Sequence, residues 1–227
     1  GGTEIERSLR IFTREAQTPN QVLTRTGFGE GNRQKGTISV WFKWARDVDH
    51  AGAVFTTGYT GSGGSQSSML MNLQNMTSDY GYWFGQNDNN GPTWRVRSPF
   101  KMVDDQWYHF VLALNTTADT DSNRVKVYIN GTQDTALASW YGWPSQNSYT
   151  RFLEENFRWG AQDGGGSPSN MTQFYTADLN VIDGTNYSAS DFGYFDDQTG
   201  IWRPKELSGI NYGSKGFRLE FKDNSGT

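Results

Sequence analysis

The feature that most constrains this chain is a recurring alternation of apolar and polar side chains with a period of two, carried by short segments. Successive side chains of an extended strand point to opposite faces, so this period predicts strands rather than helices. In Thr37–Trp44, Ile38, Val40, Phe42 and Trp44 fall on one face, with Thr37, Ser39 and Lys43 on the other. In Trp107–Leu114, Tyr108, Phe110, Leu112 and Leu114 form one face; Trp107, His109, Val111 and Ala113 form the opposite one. A strand apolar on both faces belongs in the middle of a sheet that is covered above and below.

Val125, Val127 and Ile129 alternate with Arg124, Lys126 and Tyr128, and Asn130-Gly131 follows at once. Both turn residues tolerate positive φ, which a type I′ hairpin needs at its two central positions. Further strands are predicted at Leu9–Phe12, Val54–Thr57, Met69–Leu73, Tyr80–Phe84, Trp94–Arg97, Phe174–Ile182 and Phe217–Phe221. The polar runs Thr60–Ser68, Gln86–Gly91, Thr116–Ser122 and Gly164–Ser169 read as loops between them. One short helical turn is expected over Ala189–Phe192, capped by Ser188 or Ser190. Many short strands separated by turns predict an all-β fold, a two-sheet antiparallel β-sandwich formed by residues 1–227 as one domain. Aromatic residues make up 15% of the chain, and large rings suit a core about 10 Å thick between two facing sheets.

Composition narrows the chemistry. The net charge of −4 argues against a nucleic-acid binder that works by neutralising phosphates. The chain has 0 Cys and 2 His, which removes disulfides, thiolate nucleophiles and His-rich zinc sites. No apolar run reaches membrane-spanning length, so no membrane insertion is expected. The chain opens Gly1-Gly2 without Met, which predicts a processed product or a piece of a longer polypeptide.

Several segments together resemble the concanavalin A-like, laminin-G-like jelly-roll domains, above all those of tailed-bacteriophage virion proteins. They are Ile5–Ile11, Gly31–Lys43, Asp104–Val111 with the Val125–Gly131 hairpin, Tyr175–Gly184, Ser188–Gly193 and Gly200–Lys205. The resemblance implies a virion surface protein: a capsid decoration, fibre or adsorption module acting in adhesion or assembly. Its partners would be other virion proteins, further copies of itself and host surface polysaccharide.

An enzyme on this fold would resemble a glycoside hydrolase, with Glu-x-Asp-x-x-Glu placing acids on one sheet face about 5 Å apart. The nearest echo, Glu4-Ile5-Glu6, has Leu9 where the closing acid would stand; the adjacent Glu154 and Glu155 would point to opposite faces. A glycan depolymerase is thus the alternative to a non-enzymatic module. His109 is expected to be a satisfied core histidine, and His50 to lie in a solvated loop. No catalytic residue is assigned and no cofactor is expected. Laminin-G-like folds can hold a structural Ca²⁺ at a loop-rich rim, and oxygen ligands are present in Asp47/Asp49, Asn87–Asn89, Asp119/Asp121 and Asp196/Asp197. None of these runs has a complete ligand pattern, so they also read as solvated turns.

The candidate ligand-binding residues are Trp140, Tyr141, Trp143 and Tyr149, in the segment Ser139–Tyr149. Sugar C–H faces stack on aromatic rings, and the nearby Gln146 and Asn147 amides match hydroxyl groups. The competing reading folds these rings inward or against another subunit. Tyr80, Tyr82 and Trp83 are weaker candidates. Asn-x-Ser/Thr sequons begin at Asn75, Asn115, Asn130, Asn170 and Asn186, as expected in a chain rich in Asn and Thr.

Overall fold

Strands form where the alternation places them and extend beyond it where main-chain pairing continues. The computed structural model describes residues 7–11, 22–44, 52–60, 67–74, 78–89, 91–163, 168–169 and 173–221. In chain order come β1 (Leu9–Ile11), β2 (Leu23–Glu30), β3 (Lys35–Trp44), β4 (Gly52–Thr60), β5 (Ser67–Leu73) and β6 (Tyr82–Asp88). Next are β7 (Gly91–Ser98), β8 (Trp107–Asn115), β9 (Val125–Ile129), β10 (Thr132–Gln133), β11 (Ala138–Ser139) and β12 (Glu154–Trp159). Then follow β13 (Gln162–Asp163), β14 (Pro168–Ser169), β15 (Phe174–Asp183), β16 (Gly193–Phe195), β17 (Trp202–Pro204) and β18 (Phe217–Leu219).

Two antiparallel sheets form a sandwich. The first has the order β1-β15-β3-β8-β9-β10, with β18 also paired to β15; the second has the order β11-β7-β6-β5-β4-β12-β2. The facing sides supply one core. Ile38, Val40, Phe42 and Trp44 of β3 and Tyr108, Phe110, Leu112 and Leu114 of β8 pack against Phe55, Met69, Met71, Tyr82, Phe84, Trp94 and Val96 of the second sheet. The expected double-sided burial of β8 is realised. Its other face, with His109 and Val111, joins Trp41, Ala177 and Ile182 under Phe192 and Trp202, so the segment after β15 roofs the first sheet.

The Asn130-Gly131 hairpin is as predicted, with φ of 47° and 82° at the two turn residues and Ile129 opposite Thr132. Asn130 does more than turn the chain: its Oδ1 accepts the His109 amide at 2.8 Å, which satisfies the neighbouring strand. The predicted helical turn is a 3₁₀ turn over Ala189–Asp191, and the Ser188 amide donates to the Asp191 carboxylate at 2.7 Å.

One local expectation changes. In the Gln86–Gly91 run, read as a loop, residues 86–88 and 91 belong to strands, because β6 and β7 stay paired out to Asp88 and Gly91. Polar side chains conceal strands there, since main-chain pairing does not depend on them. β2 and β12 escape the alternation for another reason. β2 carries Gly27 and Gly29 at positive φ, and β12 shifts register between Glu154 and Asn156, with Glu155 at φ 61°. A bulge adds a residue and breaks the period of two. Glu4–Glu6, Phe12, Asp47, Asp49, His50 and the sequons at Asn75 and Asn170 lie outside the described residues.

Candidate functional site

The four candidate rings do not form one platform. β11 pairs with β7 through Ala138↔Arg97 and Ser139↔Val96, and the amides of Trp140 and Tyr141 both donate to the Arg95 carbonyl, at 2.8 and 3.0 Å. This anchors Trp140 and Tyr141 beside the outer face of β7. Trp143 instead packs half-buried against the main core. The residues after it are stitched to the body: the Pro144 carbonyl accepts from Arg124 Nη1 at 3.0 Å, and the Asn147 amide donates to the Thr116 carbonyl at 2.9 Å. Tyr149 is 70% exposed and makes none of the ring contacts that tie Trp140 and Tyr141 together. Trp143 and the residues just after it are thus tied to the body, whereas Tyr141 and Tyr149 stay exposed.

The structure adds four residues to Trp140 and Tyr141. Alternation along β7 sends Trp94 and Val96 into the core and leaves Arg95 and Arg97 on the outer face. β6 likewise sends Tyr82 and Phe84 inward and Trp83 outward, with Trp83 directly opposite Arg97. Trp140 is the hub. Its ring centroid lies 5.2 Å from Tyr80, 6.4 Å from Trp83 and 5.0 Å from Tyr141. The Arg95 guanidinium sits 4.4 Å from the Trp83 centroid, 5.5 Å from Trp140 and 5.6 Å from Tyr141. Arg97 lies 5.2 Å from both Tyr80 and Trp140. The attraction between a cation and a ring quadrupole favours this interleaving.

Gly85 makes the arrangement sterically feasible. It stands opposite Arg95 in the register, and a Cβ there would lie 2.5 Å from Arg95 Cγ. A bare glycine lets the arginine stem lie low across the sheet toward Trp83. Underneath, Ala53, Leu70 and Trp83 are buried, and Tyr80 and Trp140 pack on them. The weaker candidates thus divide: Tyr80 and Trp83 belong to the cluster, whereas Tyr82 points into the core and its hydroxyl donates to Asp134 at 2.6 Å.

The polar valences of the cluster are unevenly used. Arg95 Nη2 donates to Asn87 Oδ1 at 2.6 Å, but its Nε is buried without a partner. Burial lowers the Arg95 pKa below its ordinary value. Tyr141 is 50% exposed and Trp83 only 8%, so the face grades from a dry floor to an open rim. Such a surface offers ring faces, hydroxyls and N–H donors to a ligand.

The acids considered for glycoside hydrolysis are placed otherwise. Glu154 Oε1 meets Arg33 at 3.1 Å and Oε2 meets Arg151 at 2.8 Å, while Glu155 is exposed in the bulge. Retention requires two facing carboxyls across a scissile bond, and these two serve different surroundings. Acidic runs considered for Ca²⁺ are also engaged within the protein. Asp88 accepts from Thr93 and Arg151, Asp119 from Gln146, and Asp196 from Thr199 and Gln198; Asp121 pairs with Arg124. Among the described residues, no three or more His, Asp or Glu side chains gather into a group able to hold a metal ion.

His109 is the core histidine expected, and it is 1% exposed. Its ring stacks on Trp41 at 4.9 Å and on Trp202 at 5.9 Å. Trp202 Nε1 donates to His109 Nδ1 at 2.9 Å. An indole only donates, so Nδ1 must be the acceptor, and Nε2–H donates to Ser39 Oγ at 2.9 Å. Burial lowers its pKa from the ordinary 6.5 to about 3.

Among solved structures, the chain is similar to the native heptameric SAP-like pentraxin from Limulus polyphemus, with TM-score 0.55 and 16% identity over 96% of this chain and 93% of that one. It is also similar to domains LG4-5 of the mouse laminin alpha1 chain, with TM-score 0.48 and 12% identity over 88% of this chain and 44% of that one. A third is the carbohydrate-binding module CBM40 of the Ruminococcus gnavus IT-sialidase, with TM-score 0.42 and 14% identity over 68% and 90%. Among curated proteins, none matches the chain in sequence. The laminin G 3 family, described as the concanavalin A-like lectin/glucanases superfamily, matches residues 13–185. The match takes in most of both sheets, and the chain belongs to this lectin-type family.

Proposed function

We propose that this protein is a non-enzymatic binding module that acts in adhesion or assembly and holds a glycan on the outer face of its second sheet. The observation that carries the reading is the cluster of Tyr80, Trp83, Trp140 and Tyr141 interleaved with Arg95 and Arg97. Ring faces bind the C–H surface of a sugar, and tyrosine hydroxyls and guanidinium N–H groups complement its hydroxyls. The lectin-type fold supports the same reading. The ion pairing of Glu154 and the exposure of Glu155 favour binding over hydrolysis.

The place of action belongs to the proposal too. The sequence resemblance to tailed-phage virion proteins supports a position on the particle surface, in contact with other virion proteins and further copies of this chain. Replacing Trp140 and Tyr141 together with Ala should abolish retention on host surface polysaccharide while the fold persists. Unchanged retention would reject the proposed face. Release of oligosaccharides from that polysaccharide by the intact protein would reject the non-enzymatic reading in favour of a depolymerase. Particles lacking the protein should show altered adsorption or integrity, and unaltered particles would reject the virion role.

A further inference from the structure

The two outer-face arginines differ from three other guanidiniums of the molecule, those of Arg124, Arg151 and Arg218. Arg124, just before β9, uses most of its donors: Nε meets the Ala118 carbonyl, Nη2 the Asp119 carbonyl and Nη1 the Pro144 carbonyl, each at 3.0 Å. It also pairs with Asp121 at 2.6 Å. Arg151 is shared between Asp88 and Glu154, and Arg218 meets Asp178 at 2.7 Å and Glu220 at 3.1 Å. Each of these cations has a carboxylate. Among the described residues, Arg95 and Arg97 have none. Arg97 is half-buried on the rings of Tyr80 and Trp140 and gives no N–H to an acceptor among the described residues. Arg95 gives one, to a neutral amide, and keeps a buried Nε without a partner.

Two cations held against a partly dry aromatic surface, with donors unspent and no counter-charge, form a preorganised anion receptor. A guanidinium presents its N–H groups in a planar fork that matches the two oxygens of a carboxylate or sulfate. The rings around it define what carries that anion. Tyr141 at the rim and the open side of Trp140 are positioned to stack on a pyranose while the fork takes its acidic substituent.

An acidic peptide would gain most of its affinity on a sheet by adding a strand, but at Arg95–Arg97 both edges of β7 are occupied. β6 occupies one side, and the other is taken by β11 and by the Trp140 and Tyr141 amides. A nucleic acid would need many phosphate contacts, and this cluster offers two cations, Arg95 and Arg97, on a molecule of net charge −4. We infer that the outer face of the second sheet selects acidic saccharides, with Arg95 and Arg97 clamping a sugar carboxylate or sulfate and Trp140 and Tyr141 stacking on the ring. This inference rests on the glycan-binding reading and narrows it to charged sugars.

The test is retardation of the full chain in native gels containing polygalacturonate, hyaluronate or heparin. Methyl-esterified polygalacturonate and dextran serve as neutral counterparts, and polyglutamate as an acidic peptide. Retardation by at least one acidic polysaccharide is expected, weakening as salt rises, with little by the neutral ones. Arg97→Gln should weaken it about tenfold or more. Arg97→Lys, which keeps the charge but loses the fork, should fall between, and Lys126→Gln on the opposite sheet should match the parent. Thermal melts of the variants establish that they are folded. Equal retardation by ester and acid overturns the charge selection and leaves the glycan reading standing. Retardation by polyglutamate as strong as by the polysaccharides overturns the saccharide assignment. Retention of a folded Arg97→Gln variant within twofold of the parent overturns the clamp. Retardation by none of the acidic polysaccharides overturns the inference, and failure of the neutral ones as well removes the glycan reading with it.

Discussion

The two sheets carry matching ornaments on their outer faces, and they have been finished differently. On the first sheet His109 lies between Trp41 and Trp202; on the second, Arg95 and Arg97 lie among Trp83, Trp140, Tyr141 and Tyr80. Both are nitrogen-bearing groups stacked on indoles. The first is roofed by the segment after β15, each ring nitrogen of His109 has one partner, and burial keeps the ring neutral. The second is only partly covered, stays cationic and leaves donors unused. A closed polar cluster adds to stability and specificity of packing. An open one gains its remaining hydrogen bonds only when something binds. The difference separates a sealed outer face from the open one to which the proposal assigns the ligand.

The comparison breaks most sharply at its sealed end. Trp202→Ala removes the roof over His109 and leaves Nδ1 without its donor, and a buried Trp replaced by Ala costs about 3–5 kcal/mol. Urea denaturation should register that loss, while glycan retention at the far face should persist in the folded fraction. A coupled loss of both would show that the two faces are not independent.

Acid offers a second probe. The folded pKa of His109 lies below its unfolded value, so the unfolded chain takes up this proton first as pH falls. The contribution is fully present above about pH 6.5 and is lost progressively toward pH 3, amounting to about 3 kcal/mol by pH 4. Denaturation of the parent and of His109→Gln across that window should show the steeper decline in the parent. Parallel curves would contradict the neutral, sealed histidine.

A smaller effect is expected at the open end. Trp140→Ala should cost about 2 kcal/mol, because the ring is only half-buried, yet it should eliminate glycan retention. Stability and binding thus respond in opposite proportion on the two sheets. The least effect belongs to Tyr149→Ala, within about 0.5 kcal/mol and with binding unchanged. Loss of binding there would restore a continuous Trp140–Tyr149 platform and dissolve the distinction between the two halves of that segment.

Much of the fold was legible in order. The doubly apolar β8 announced a central strand with a buried His109, and Asn130-Gly131 announced its turn, because both signals are local and have a single physical meaning. The candidate site was legible only in part. Trp140 and Tyr141 stood out as a dense ring cluster, but so did Trp143, which packs on the core, and Tyr149, which stands apart. Arg95 and Arg97 carry a sequence signal as well: alternation around Trp94 and Val96 places both on one outward face. What the alternation did not supply was the company they would keep.

The sequence by itself determined that the chain forms strands, which faces they bury and where one hairpin turns, since these follow from side-chain period and from the φ that Asn and Gly accept. Only the tertiary structure decided which outward residues meet. Tyr80, Trp83, Arg97 and Trp140 come together through the pairing of β6 with β7 and of β7 with β11, so their juxtaposition depends on strand register between separated segments. Register is set by the packing of the opposite, buried face, and a site on the outer face is therefore positioned by a core it does not touch.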